Sequence, residues 1–179
     1  MAQSKWVVDA FHSSVNFSVR HMMVSRVRGT FHTFDADIKA DVEDLTTASI
    51  AFRVDVNSID THNEDRENHL KSPDFFDAEN YPQMTFQSTD IRKSGNDTYE
   101  VVGDLTIRGT TRQVPFRVTF EGVAKDPMSG AEKCGFTADG KINRKDFGLV
   151  WNVGLETGGV LVGDEIKIDL EIEAARQPD

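Results

Sequence analysis

The segment Ile166-Lys-Ile-Asp-Leu-Glu-Ile-Glu173 alternates without interruption, Ile166, Ile168, Leu170 and Ile172 against Lys167, Asp169, Glu171 and Glu173. Successive side chains of a β-strand point to opposite faces, so this period of two predicts a strand with one apolar and one charged face. The same pattern recurs upstream. Val15, Phe17 and Val19 alternate with Asn16, Ser18 and Arg20, and Ile50, Phe52, Val54 and Val56 with Ala51, Arg53, Asp55 and Asn57. Tyr99, Val101, Gly103, Leu105 and Ile107 oppose Glu100, Val102, Asp104, Thr106 and Arg108, and only Val102 departs from the polar face. Val114, Phe116, Val118 and Phe120 oppose Pro115, Arg117, Thr119 and Glu121.

Weaker strands are expected over residues 6–9, 27–40, 84–92 and 134–143, about nine strands in all. Phe31 and Phe34 fall on opposite parities, which predicts a bulge inside the 27–40 strand. Ser94-Gly95-Asn96-Asp97, Arg108-Gly109-Thr110-Thr111 and Asp126-Pro127-Met128-Ser129-Gly130 carry turn chemistry, so sequential strands are expected to be antiparallel neighbours. One segment, residues 60 to 76, breaks the rhythm. Thr61 and Glu64 have capping-box spacing and Pro73 marks an end, predicting a short helix. A second turn is expected from Ser72, with Pro73 in its first position and Phe75-Phe76 facing inward.

Many alternating strands joined by short turns suit an up-and-down barrel or a sandwich. A sandwich interdigitates large side chains, whereas an eight-stranded barrel can keep room for a small ligand. Gly103, Ala138 and Gly140 are small inward residues, which favours room.

The composition excludes several functions. With 179 residues, 38% hydrophobic and 28% charged, the chain is expected to form one globular domain over residues 1–179. A net charge of −10, with no local cluster of Lys and Arg expected to offset it, argues against nucleic acid or anionic lipid as partner. Cys134 is alone, so no intrachain disulfide forms, and it is expected to be a buried, inert thiol. The run Met1-Ala-Gln-Ser-Lys-Trp-Val-Val-Asp9 lacks the apolar core of a secretory leader and no stretch reaches membrane-spanning length, so a cytoplasmic protein without stable membrane insertion is expected.

No metal site is expected from His12, His21, His32, His62 and His69, which are scattered; His62 and His69 read as one face of a solvated helix. There is no Gly-x-Ser-x-Gly elbow, dinucleotide fingerprint or phosphate loop, and Gly158-Gly159 reads as a flexible loop. Among 30 acids chance adjacency is common, and Asp164-Glu165 reads as polar entry to the last strand. What remains is an apolar lining: twelve phenylalanines and two tryptophans that serve either a solid core or a cavity.

Seven strings, in order along nearly the whole chain, resemble those of the YceI-like family of lipocalin-like, polyisoprenoid-binding proteins. They are His12-Ser-Ser-Val-Asn-Phe-Ser-Val-Arg-His21, Val27-Arg-Gly-Thr-Phe31, Ser58-Ile-Asp-Thr61, His69-Leu-Lys-Ser-Pro-Asp-Phe-Phe-Asp77, Tyr81-Pro82, Gly103-Asp-Leu-Thr-Ile-Arg-Gly109 and Ile142-Asn-Arg-Lys-Asp-Phe-Gly148. The resemblance implies an extended, eight-stranded antiparallel lipocalin-like barrel with the helical excursion near residues 61–76 at one end. It also implies an elongated apolar cavity, a homodimer and no catalytic residues.

The function expected is that of a binding or carrier protein holding a long apolar lipid: a polyisoprenoid, an isoprenoid quinone or a fatty-acid-like amide. The bound lipid takes the place of a cofactor. At about 0.8 kcal/mol per buried CH₂, a five-carbon isoprene unit gains up to about 4 kcal/mol before torsional costs. By parity the ligand-binding candidates are Phe17, Val19, Phe52, Val54, Phe86, Leu105, Phe116, Val118, Phe136 and Ala138, with Trp151 near the mouth. Arg20 and His21 are candidates for a polar head group, although parity sets Arg20 on the wet face. The alternatives are an enzyme using the barrel as a reaction chamber, which needs an inward ionisable group with a perturbed pKa, and a solid-core interaction module.

Overall fold

A computed structural model describes residues 3–178; the outermost positions of the expected domain, Met1, Ala2 and Asp179, lie outside the described residues. The strands are β1 (Ser4–Val8), β2 (Ser14–His21), β3 (Ser25–Phe31), β4 (Phe34–Asp41), β5 (Asp44–Asp55), β6 (Ile59–Asp60), β7 (Gln83–Lys93), β8 (Thr98–Ile107), β9 (Thr110–Lys125), β10 (Glu132–Asn143) and β11 (Val162–Arg176). Helix α1 (Glu64–Lys71) lies between β6 and β7. The strands are ordered β1-β4-β5-β7-β8-β9-β10-β11-β2-β3-β6, and a further β1–β11 pairing closes the first eight into an antiparallel barrel. Strands β2, β3 and β6 continue from β11 as a flap.

Closure depends on the 15 residues of β11. One edge pairs β10 from Glu165 to Ala175. The other takes two partners in succession, β2 against Val162 to Glu171 and β1 against Ala174 to Arg176. At the join, the Glu173 N–H donates to Ser13 Oγ (3.0 Å), and its carbonyl accepts from the Asp9 N–H (2.8 Å) and the Ser13 hydroxyl (3.3 Å). Both backbone groups are thus satisfied where neither strand can reach them.

The expected 27–40 strand is two strands, β3 and β4, rather than one with a bulge. Strand β3 pairs β2 and β6, whereas β4 turns away to β1 and β5. The two residues between them leave the ladder: His32 N–H donates to the Ser58 carbonyl and the Thr33 carbonyl accepts from Asp55 N–H. Phe31 and Phe34 change parity because the chain changes partners there. It follows that β3 and β4, like β1 and β2, are sequential without being paired neighbours.

The helix begins one turn-fragment later than the Thr61–Glu64 spacing suggests. Asn63 is the N-cap, its side chain accepting from Arg66 N–H at 3.0 Å. The Glu67 carboxylate reaches back to the N–H groups of Asn63 (3.1 Å) and Thr61 (2.8 Å). Thr61 is buried, its hydroxyl donating to Glu67 and accepting from Arg66 Nε, so it belongs to the β6 exit and not to the helix. Residues from Ser72 form a turn without helical continuation, closed by Phe75 N–H and Asp77 N–H on the Ser72 carbonyl. Phe75 is buried there, as expected.

One end of the barrel is sealed. Trp6 is 2% exposed, packs with Ile38, Ala40, Cys134 and Ala174, and donates its indole N–H to the Ala40 carbonyl at 3.3 Å. Burial pushes the Cys134 thiol up to about 12. At pH 8 its thiolate fraction is then about a thousandfold or more below that of a free thiol near 8.5. Native protein is therefore expected to resist iodoacetamide at pH 8, with modification at the free-thiol rate only in denaturant; rapid alkylation of folded protein, read by mass spectrometry, would contradict this packing.

Candidate ligand-binding cavity

Inside the barrel, away from the Trp6 seal, lies a cavity of about 200 Å³. This exceeds the roughly 150 Å³ at which an apolar protein cavity stays dry and accepts a benzene-sized solute. Its wall includes Ile166, Ile168, Leu170 and Ile172 of β11, a row about 20 Å long at roughly 3.3 Å per residue. The space is therefore a narrow slot along the barrel. No polar atom is exposed to it.

Three glycines explain how the slot stays open among so many aromatic rings. A Cβ at Gly29 would lie 2.3 Å from the Phe17 ring, at Gly103 2.4 Å from the Phe86 ring, and at Gly140 2.6 Å from the Phe116 ring. Each ring therefore lies down on a neighbouring strand's backbone, in space any other residue would fill. Small inward residues do make room, though for rings to lie against the wall and not directly for a ligand. The rings also brace one another: Phe86 meets Phe116 edge-on at 5.3 Å, and Phe17 and Phe31 lie 5.5 Å apart.

The end opposite Trp6 is covered by loops. Leu70 of α1 and Phe75 and Phe76 of the following turn face the cavity, and Phe76 packs edge-on against Phe31 at 6.1 Å. Residues 148–161 pass over the same end, held by Arg144. Its guanidinium, 3% exposed, donates to the carbonyls of Leu149 (2.6 Å), Trp151 (2.9 Å), Gly163 (2.8 Å) and Val162 (3.3 Å). Burial holds it below the ordinary arginine range, and the Asp164 carboxylate at 3.8 Å partly offsets this. Arg144 is the one ionisable side chain among the described wall residues, and its donors are taken by backbone carbonyls of the loop and of the start of β11.

Phe17, Val19, Phe52, Val54, Phe86, Leu105, Phe116, Val118, Phe136 and Ala138 are brought together on the wall. Trp151 is not on it. Its indole packs edge-on against His69 at 4.6 Å and lies 5.5 Å from Phe75, in a layer outside the wall. Arg20 is exposed and donates to the Met23 carbonyl at 2.8 Å, and neither it nor His21 lines the cavity. His69 is no solvated helix residue: it is half-buried against Trp151 and Phe75, and its Nε2 lies 2.9 Å from Asp74. Leu70, Phe75, Phe147 and Leu149 are wall residues that strand parity could not supply, since they sit on a helix, a turn and loops.

Outside the barrel, Asp9, His12 and Glu173 bring possible ligand atoms within 4.8 Å of one another, a cluster that chain order hid. The Lys133 ammonium lies 3.6 Å from Asp9 and 3.5 Å from Glu173, supplying positive charge to the same carboxylates. Among the described residues, no helix is long and apolar enough to cross a membrane.

The sequence matches the YceI-like domain over residues 6–174. It is 44% identical over 170 residues to a UPF0312 protein of Staphylococcus epidermidis, covering 95% of this chain and 96% of that one. The crystal structure of Burkholderia cenocepacia BcnA superposes with a TM-score of 0.79 at 29% identity, covering 93% of this chain and 98% of BcnA. A polyisoprenoid binding domain from Saccharophagus degradans, implicated in plant cell wall breakdown, shares the fold with a TM-score of 0.74 at 13% identity, covering 97% and 99%.

The glycine seats generate a test. In Gly140→Ala the new methyl meets the Phe116 ring first, at 2.6 Å, and the ring must swing off the wall into the slot. The expected outcome is a modest loss of stability, about 1–3 kcal/mol by denaturant unfolding, with a smaller cavity in the crystal structure. An unchanged Phe116 rotamer would contradict the seating.

Proposed function

Because this chain belongs to the YceI-like family, we propose that it binds and carries a long, linear apolar lipid in the barrel, a polyisoprenoid, isoprenoid quinone or fatty-acid-like amide. The observation that carries the proposal is the slot exposing no polar atom along its wall. A polar head placed there would lose its hydrogen bonds to water and find none in return, at a cost of roughly 2–7 kcal/mol. Only the tail enters, and the head stays at the loop-covered end. The ten wall residues predicted from parity, joined by Phe75, Phe147 and Leu149, would contact it.

A reaction chamber is the weaker alternative. Acid–base or nucleophilic work inside the slot needs a titratable group facing the substrate, whereas the donors of Arg144 are spent on the carbonyls of Leu149, Trp151, Val162 and Gly163.

Three outcomes are expected. Organic extraction of purified protein, followed by mass spectrometry, should yield a stoichiometric lipid with a long hydrocarbon tail; repeated recovery of none, with no uptake of added polyprenol or fatty amide, would overturn the proposal. Ala138 sits in register between Val118 and Leu170, so Ala138→Phe would fill the slot. Lipid retention should fall at least tenfold while lipid-free protein keeps or gains thermal stability, whereas a loss of about 1–3 kcal/mol in lipid-free protein would indicate a filled core instead. The family resemblance further leads us to expect a homodimer, and light scattering at the mass of one 20.0 kDa chain across micromolar concentrations would refute that.

A further inference from the structure

The tip of the β2–β3 hairpin is built against its own folding interest. His21 pairs Ser25 across the three residues Met22, Met23 and Val24, and all three are exposed, Val24 at 81%. Met22 (φ 51°) and Met23 (φ 66°) both adopt the left-handed conformation that glycine and asparagine favour at hairpin tips. Two side chains that prefer burial thus occupy two strained, wet positions. The Met22 N–H donates to the Leu161 carbonyl, and Met23 lies against Gly159, so the tip adjoins the 148–161 loop, where Val150 and Val153 are also exposed.

The charge around this tip runs opposite to that of the chain. Between Asp9 and Asp35 the sequence holds no acid, in a protein with 30 of them. Arg20 and Arg26 are paired in register just below the tip. The next outward row crosses four strands as Lys141, Lys167, Ser18 and Arg28. The nearby acids of β11 are engaged, Asp164 by Lys145 at 3.4 Å and Glu165 by Lys141 at 4.0 Å, leaving Glu156 on the loop. Among the described residues, Arg20, Arg26, Arg28 and Lys167 form no ion pair. Chain order brings Arg20, Arg26 and Arg28 near one another; strand register adds Lys167 and Lys141 to them, and one row further down Asp139 and Asp169 restore the acidic character.

We propose that the β2–β3 hairpin is a membrane-docking element: its Met22-Met23-Val24 tip enters an anionic lipid bilayer while Arg20, Arg26, Arg28 and Lys167 meet the phosphates around it. An exposed apolar tip ringed by cations fits the headgroup boundary of such a surface, where both contributions are favourable. The tip lies beside the loop-covered end of the cavity, since Val19 and Val162 are wall residues only a few positions from Met22. Docking there would bring that end to the bilayer, so the purpose of the element, though not its existence, rests on the lipid-carrier reading.

The experiment is sedimentation of full-length protein with two kinds of vesicle, pure phosphatidylcholine and phosphatidylcholine with about 30% phosphatidylglycerol. Binding is expected to the anionic vesicles only, and to weaken at least tenfold between about 50 and 500 mM salt. Met22→Asn combined with Met23→Gly installs residues suited to the turn, so the variant should fold at least as well yet bind at least tenfold more weakly. Arg26→Glu with Arg28→Glu should lose binding to a similar extent. Equal binding to both vesicles, binding to neither, undiminished binding of either variant, or duplex DNA bound as tightly as the anionic vesicles would overturn the proposal. Mass spectrometry of lipid carried by the same samples separates the two readings: variants that keep their lipid but fail to dock leave the carrier reading intact, and lipid-free protein that docks leaves the docking intact.

Discussion

Strand β11 must satisfy two partners along one edge, and the barrel exists because it does. Its β10 edge continues the meander, and its other edge is shared by β2 and β1, with Ser13 and Asp9 satisfying the Glu173 backbone between them. Without the β1 pairing the sheet would carry two open edges, each a row of unpaired donors and acceptors. With it, the ring closes around Trp6, while β2 and β3 are displaced into a flap that lines the cavity with Val15, Phe17, Val19 and Phe31. Closure at one end and displacement at the other follow from the same division of one strand.

That division sets what the interior can do. At the sealed end large and small residues interlock as a solid core, Trp6 over Ala40 and Ala174. Toward the other end the wall residues are as apolar, but the rings of Phe17, Phe86 and Phe116 lie on glycines and leave the axis empty. Maintaining an apolar void forfeits packing that filling it would gain. A solute that fills the slot recovers those contacts, which is the thermodynamic case for a bound tail.

Residues on long alternating strands were legible in the sequence, and so were the cavity residues they carry. Phe116, Val118, Phe136 and Ala138 could be placed on one face because a strand fixes that face once any member is inward. The 27–40 segment was misread because parity is a local signal and partner choice is not. Phe31 and Phe34 differ in parity equally well across a bulge or across two strands, and only the contacts of β3 with β6 and of β4 with β1 distinguish them. The loop-covered end was illegible for a similar reason. Arg144 was visible as part of a motif, but two of its four carbonyl partners, Leu149 and Trp151, lie in an irregular segment that no period describes, and the other two, Val162 and Gly163, lie at the start of β11 ahead of its alternating run. The basic row was hidden because Lys141, Lys167 and Arg28 are far apart in the chain and adjacent only in register.

The proposed carrier role requires a linear hydrocarbon to occupy the slot between the Trp6 seal and the loop-covered end. Crystals grown with a long-chain bromoalkane, with data collected at the bromine absorption edge, test it whatever the natural ligand is. An anomalous bromine peak is expected inside the barrel among Phe116, Val118, Ala138 and Leu170. Bromine found only on the outer surface, with the slot filled by protein side chains, would contradict it.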